Sequence, residues 1–250
     1  MQCPRCQQGS PRPDAQFCPR CGAPVKRVEE SGPLAASYAD LRRDLTEVVE
    51  QQTTSSYAKR YERDRFGHPW GRLYRAAEER AIRRALRELP ASGRVLDVAC
   101  GTGRITALLL RAGFAEVAGT DVSSAMMDEA KRQLPHVEFF QGDATGLRVP
   151  ADSYDLVICV GLLMHLDPGA RVAALRELAR ISRGPVVVQY GCVGTLHRFT
   201  SWVTGKPWGA LYPVVQSQLR EELRRSGLRE RSRFWALRPV SSSLILSLTK

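Results

Sequence analysis

From residue 94 onward, short apolar runs alternate with stretches whose apolar positions recur every three to four residues. A run opening at 94 and those at 116–120, 136–140, 154–160 and 185–190 predict strands, and 104–112, 123–134 and 168–181 predict amphipathic helices. Ser123 is placed as a helix N-cap, with Gly113 and Gly184 as stops. Strict strand–helix alternation predicts an α/β fold, a doubly wound and mostly parallel sheet with helices on both faces. The tail adds a helix at 217–226 and strands at 228–237 and 241–248. The last two strands are expected as an antiparallel edge hairpin, which makes seven strands in all.

The residues before 94 are organised differently. Residues 26–33 are polar and interrupted by Gly32 and Pro33, as a linker would be. Residues 34–52 predict a helix with Leu41, Leu45, Val48 and Val49 on one stripe. A polar break at 53–56, a segment from Tyr57 to Phe66 and a turn at 67–71 follow. A further amphipathic helix is predicted at 73–89, stopped by Pro90 and Gly93. Three units result: 1–25, a linker with N-terminal helices at 26–90, and the α/β domain at 91–250.

Charge changes this picture little. Lys and Arg number 37 against 26 acids, a net charge of +11, and only residues 26, 59, 131, 206 and 250 are Lys. The Arg residues are interleaved with Glu, as in Glu78-Glu79-Arg80 and Arg220-Glu221-Glu222, which favours a solvated, ion-paired surface over a dedicated nucleic-acid face. The strip from Arg224 to Arg238 is the exception. The longest apolar run, 156–166, is too short to span a bilayer. No basic segment followed by an apolar stretch opens the chain, so the expected compartment is the cytoplasm.

At the N-terminus, Cys3-Pro-Arg-Cys6 and Cys18-Pro-Arg-Cys21 are two Cys-x-x-Cys knuckles. Four thiolates so spaced complete a closed tetrahedral Zn²⁺ site, and about 25 residues cannot bury enough core to fold without such a staple. Disulfides are the alternative, disfavoured in a reducing compartment. With four protein ligands the zinc would be structural. RNA contact, protein contact and stabilisation alone all remain open as its use. Cys100, Cys159 and Cys192 are scattered in apolar surroundings and read as packing residues.

The chemistry concentrates at Val95-Leu96-Asp97-Val98-Ala99-Cys100-Gly101-Thr102-Gly103-Arg104. A strand feeding a helix through a glycine turn brings backbone N–H groups towards a ligand. A carboxylate at Asp97 would repel a pyrophosphate and welcome an ammonium. The next strand ends in Asp121, twenty positions after Gly101, the spacing at which an acid takes ribose hydroxyls. After the third strand comes Gln141-Gly142-Asp143-Ala144, where a carboxylate could accept from an adenine amino group.

Together these segments resemble the class I S-adenosylmethionine-dependent methyltransferases, and the N-terminal cysteines resemble short prokaryotic zinc ribbons. The first glycine of the family's D/E-x-G-x-G-x-G pattern is Ala99 here. The resemblance implies S-adenosyl-L-methionine as cofactor. Asp97, Gly101 and Gly103 would hold its methionine end, Asp121 its ribose and Asp143 its adenine, with Ala99, Val122 and Ala144 as further cofactor-binding residues. It also implies that Tyr61-x-x-x-Arg65-Phe66 folds over the cofactor as a lid; the alternative is that Tyr61, Phe66 and Trp70 simply pack the helices down.

A sulfonium methyl is already activated, so transfer needs mainly an aligned nucleophile, helped by a base where a proton must leave. His165, just after the fourth strand, is the candidate base, against the alternative of a pocket-wall histidine; Tyr190 and His197 are weaker seconds. No Asn/Asp-Pro-Pro-Tyr/Phe tetrapeptide follows that strand and no Pro-Cys nucleophile is present, which lowers the case for a nucleic-acid base. Residues 195–212 carry His197, Phe199, Trp202, Trp208 and Tyr212, an aromatic roof suited to a small apolar acceptor or, alternatively, to stacked RNA bases. A small organic acceptor is the first expectation, RNA gripped by the ribbon and the basic strip the second, and a non-catalytic cofactor sensor the third.

Overall fold

The computed structural model describes residues 55–87, 89, 92–192, 214–236 and 243–250. The cysteines Cys3, Cys6, Cys18 and Cys21, the helix expected at 34–52, and the roof at 195–212 with His197 lie outside the described residues. Among the described residues two helices, α1 (Ser55–Phe66) and α2 (Pro69–Arg87), precede the sheet. Then come β1 (Arg94–Val98), α3 (Arg104–Arg111), β2 (Glu116–Asp121), α4 (Ser124–Gln133), β3 (Glu138–Gln141) and β4 (Leu156–Cys159). A 3₁₀ turn (Leu163–His165), α5 (Pro168–Ile181), β5 (Val186–Gly191), α6 (Gln216–Ser226), β6 (Arg229–Trp235) and β7 (Ser243–Thr249) complete the order.

The seven strands form one sheet in the order β3-β2-β1-β4-β5-β7-β6. The first five run parallel; β7 is antiparallel to both β5 and β6. The chain winds from β1 towards β3, then restarts at β4 on the other side of β1. Ligands in open α/β sheets sit at such a reversal, beyond the carboxyl ends of the strands.

Alternating side chains feed two cores. Val95, Ile158, Val187 and Ile245 meet Ile82, Ala85 and Leu86 of α2 and Ile105, Leu108 and Leu109 of α3. Leu96, Val98, Val157 and Val188 meet Leu175 and Leu178 of α5 and Leu219 and Leu223 of α6. Gly119 in β2 is glycine for a local reason: a Cβ there would lie 2.6 Å from the Phe139 ring carbons. Cys100, Cys159 and Cys192 are buried, the first against Ala130 and Phe139.

One boundary departs from expectation. Residues 67–71 do not form a turn ahead of a helix at 73; α2 begins at Pro69 and ends at Arg87. Proline suits the first helical position because its missing N–H has no partner there. The His68 Nδ1 accepts from Gly71 N at 3.0 Å and caps the helix start. Position 71, inside the helix, is glycine because a Cβ there would meet the Arg65 carbonyl oxygen at 2.6 Å.

A buried ion pair fixes the α5–α6 side. Arg171 Nη2 donates to Glu222 at 2.8 Å, its Nη1 donates to the Leu166 carbonyl at 2.8 Å, and Tyr190 Oη donates to Glu222 at 2.9 Å. Removing one member strands the other charge without solvent, so Arg171→Met is expected to cost about 3–5 kcal/mol. Arg171→Met combined with Glu222→Leu should recover most of it. Urea unfolding checks both, and a double variant no better than the single would contradict the pairing.

Candidate functional site

β1 ends against a turn that only unusual backbone angles allow. Ala99, Gly101 and Gly103 all have positive φ, at 58°, 55° and 85°. Ala99 adopts a left-handed conformation that favours glycine, at a cost of about 1–2 kcal/mol. Gly103 is the N-cap of α3, and a Cβ on it would crowd Ala130 at 3.2 Å. Nothing lies within 4 Å of a Cβ built on Gly101, so the turn is open on that side. The glycine N–H groups do not point outward as the sequence reading expected: Gly101 N donates to Asp121 Oδ2 at 2.8 Å and Gly103 N to the Cys100 carbonyl at 3.0 Å.

Asp121 joins three elements. It ends β2, accepts from the turn through Oδ2, and accepts from Ser123 N at 2.9 Å through Oδ1. Ser123 in turn caps α4 by accepting from Met126 N. Burial holds the Asp121 pKa above the ordinary carboxylate value despite these bonds. Beside it, Val122 is an apolar side chain left 58% exposed. The Gln141 amide donates to the Val122 carbonyl at 2.8 Å and Gly142 N to the Asp121 carbonyl at 3.0 Å, which ties the ends of β2 and β3 together. Asp143 is exposed; its Oδ1 accepts from Thr145 N and Oγ1, and Oδ2 has no partner among the described residues. Ala144 is buried beneath it.

Asp97 lies under the turn and not on its surface. It is 1% exposed and accepts from Thr106 Oγ1 of α3 at 2.6 Å. Burial raises its pKa to about 7, against the opposing effect of the Thr106 bond and of Arg104.

On the far side of β1, His165 sits half-buried in the 3₁₀ turn after β4. Burial, and then the charge of Arg65, push its pKa below the ordinary histidine value, so the imidazole is neutral at pH 7. The Arg171 bond to the Leu166 carbonyl anchors the chain just after it. Tyr190 is removed as a candidate base: it is fully buried, its hydroxyl is donated to Glu222, and its pKa is raised well above the ordinary tyrosine value. Asp155 sits at the start of β4, accepting from Arg94 N at 2.8 Å and pairing with Arg183.

α1 and α2 supply residues that the sequence reading missed. Glu62 accepts from Thr102 Oγ1 in the glycine turn at 3.0 Å. Glu78, fully buried, accepts from Arg104 at 2.6 Å, from the Gln189 amide at 2.6 Å and from Tyr74 at 3.0 Å. The legible signal was Glu78 itself: an acid in the stripe it shares with Ala81, Ile82 and Ala85. In the basic strip, Arg224 pairs with Glu221 and Arg233 with Glu230. Among the described residues no group of three His, Cys, Asp or Glu side chains is placed to hold a metal, and no helix is long and apolar enough to cross a membrane.

Residues 95–184 match the family model described as Methyltransferase domain. Relatives include a demethylmenaquinone methyltransferase of Beutenbergia cavernae, 40% identical over 90 residues and covering 36% of each chain. A trans-aconitate 2-methyltransferase of Methylobacterium nodulans is 33% identical over 129 residues, 48% of this chain and 47% of that one. The chain thus spans less than half the length of either relative. Among solved structures, a magnesium protoporphyrin IX methyltransferase from Synechocystis PCC 6803 with bound SAH superposes with a TM-score of 0.68 at 21% identity, over 82% of this chain and 99% of that one. A TehB-like SAM-dependent methyltransferase from Corynebacterium glutamicum gives 0.56 at 24% identity, over 79% and 100%. The sheet therefore has the Rossmann-like methyltransferase fold, with a match to the methyltransferase domain model that runs from β1 through α5 and ends before β5.

Asp97 makes the ligand-free protein pH-sensitive in a defined direction. Its folded pKa of about 7 exceeds the ordinary value of 3.8, so its contribution is full below pH 4 and is lost as pH rises through 7. Asp97→Asn is therefore expected to gain stability relative to wild type between about pH 5 and about pH 7.5. Urea midpoints at the two pH values check this, and parallel behaviour of the two proteins would contradict it.

Proposed function

We propose that this chain is a class I S-adenosylmethionine-dependent methyltransferase acting on a small organic acceptor. The observation that carries the reading is the open, glycine-built turn between β1 and α3, bound to the carboxylate that ends β2. Those residues fit the cofactor. The space beside Gly101 would admit its methionine end, with buried Asp97 beneath to favour the ammonium. Asp121 keeps acceptor capacity on both oxygens for ribose hydroxyls, exposed Val122 offers an apolar surface for adenine, and Asp143 Oδ2 can accept from its amino group. Ala99 and Ala144 shape the walls at the two ends. When bound, the cofactor supplies an activated methyl group.

The chain's own residues then have two tasks. Positioning carries most of such a transfer, and the turn, Asp121 and the His165 loop are each braced by hydrogen bonds. Neutral His165 can take the acceptor's proton as the methyl arrives. Demethylmenaquinone and trans-aconitate methyltransferases among the relatives support a small acceptor. The cysteine spacing supports a structural Zn²⁺ ribbon at residues 1–25 for Cys3, Cys6, Cys18 and Cys21, and the composition a cytoplasmic enzyme.

Incubating the protein with methyl-labelled donor and fractionated cell extract is expected to label the small-molecule fraction; label confined to RNA or protein would contradict the reading. With an acceptor in hand, His165→Gln should lower kcat by about 10²–10⁴-fold. Wild-type activity should rise with pH through a limb below the ordinary histidine pKa, where His165 becomes neutral, and the variant should lack it. An unchanged limb would exclude His165 as the base.

A further inference from the structure

The outward side of α2 joins two kinds of chemistry end to end. Trp70, Leu73, Ala77, Arg80, Arg84 and Arg87 follow the three-and-four spacing that lines one side of a helix, away from the buried Ile82, Ala85 and Leu86. Trp70 is 70% exposed and Leu73 46%, and Trp70 is the most exposed large apolar side chain among the described residues. Arg83 adjoins the other arginines, and a cleft of about 320 Å³ opens among the four guanidinium groups.

These arginines differ from those elsewhere on the surface. Arg224 pairs with Glu221 and Arg233 with Glu230. Arg80, Arg83, Arg84 and Arg87 have no carboxylate within 4.0 Å among the described residues. Glu79, the acid at the rim of the cleft, is taken by Arg75 at 2.9 Å. Arg80 and Arg84, like Arg83 and Arg87, are like charges one turn apart, an arrangement that weakens a helix left without an anion. The helix dipole favours Arg84 and Arg87 in the last turn but accounts for neither Arg80, Arg83 nor the bare Trp70.

The direction of α2 gives the stripe its meaning. Its first turns stand at the site: Tyr74 accepts from the Gln189 amide of β5 at 3.2 Å, and Gly71 packs on Phe66, whose ring carries the guanidinium of Arg104 beside the glycine turn. Its last turn lies at the opposite edge of the sheet, shortly before β1 begins at Arg94. The apolar end of the stripe therefore flanks the site and the cationic end runs away from it. A nucleic acid would engage the arginines and leave Leu73 and Ala77 bare, and an apolar protein surface would leave the arginines bare. An anionic bilayer presents phosphates beside acyl chains and covers both. Tryptophan suits that boundary because its ring is apolar and its N–H polar.

We propose that α2 seats this protein on an anionic membrane surface, with Trp70 and Leu73 entering the interface beside the site and Arg80, Arg83, Arg84 and Arg87 holding headgroup phosphates. The docking is independent of the methyltransferase reading.

Flotation of the full chain with vesicles tests it, using phosphatidylcholine alone or with one quarter phosphatidylglycerol. Wild type should float with the mixed vesicles and not with the neutral ones. Arg80→Gln with Arg84→Gln should weaken partition about 10–30-fold, at roughly fivefold per cation near the surface. Arg220→Gln with Arg229→Gln removes the same charge beside α6, on the other face of the sheet, and should weaken it less than about threefold. Vesicles with brominated acyl chains should quench the tryptophan emission of wild type and not that of Trp70→Phe. Every substituted side chain is exposed, so the variants should keep the wild-type circular dichroism. Failure of wild type to float with the anionic vesicles, equal loss from the two arginine pairs, quenching retained in Trp70→Phe, or transfer of wild type from the vesicles to polyuridylate at equal phosphate would overturn the proposal.

Discussion

The bond from Gly101 N to Asp121 is the constraint on which the site depends. It joins the turn after β1 to the end of β2, and Asp121's second oxygen fixes the start of α4 through Ser123. One carboxylate therefore sets the spacing between the glycine turn and the next strand. The Gly101 and Gly103 N–H groups are both donated within the protein and are not left free for an anion. A phosphate would find two carboxylates there and neither of those donors. That is the physical difference from a dinucleotide site.

Around this constraint the structure places buried charges on opposite faces of the sheet. Glu78 collects Arg104, Gln189 and Tyr74, and so ties α2 to α3 and β5. Glu222 collects Arg171 and Tyr190, and through Arg171 reaches the chain beyond His165. Buried pairs of this kind add little net stability but are expensive to break, so they fix geometry. Both sets end at the carboxyl side of the central strands, where a site needs rigid walls.

Much of this architecture was legible because it is local. The apolar runs around Leu96, Val157 and Val187 have the two-sided burial that parallel strands require, and Ser123 caps α4 as its position before the apolar stripe predicts. What was not legible depends on tertiary contact. The stretch Gly67 to Gly71 has the composition of a turn, yet Pro69 starts α2, with His68 capping Gly71 N and Gly71 packed against Arg65 and Phe66. The partner of Asp97 is one such contact: Thr106, which donates to it, comes from the following helix. Tyr190 has a reactive hydroxyl by type, and only its partner Glu222, 32 residues away, shows that it is occupied.

The central claim is that the Asp121-bound turn receives a sulfonium nucleoside. Its most direct measurement is the affinity of wild type and Asp121→Ala for S-adenosylmethionine, with NADH titrated alongside. Binding of S-adenosylmethionine by wild type, weakened about 10–100-fold in the variant as expected for lost bonds to a charged acceptor, is the predicted result. Unchanged affinity in Asp121→Ala, or a wild-type preference for NADH, would contradict the account.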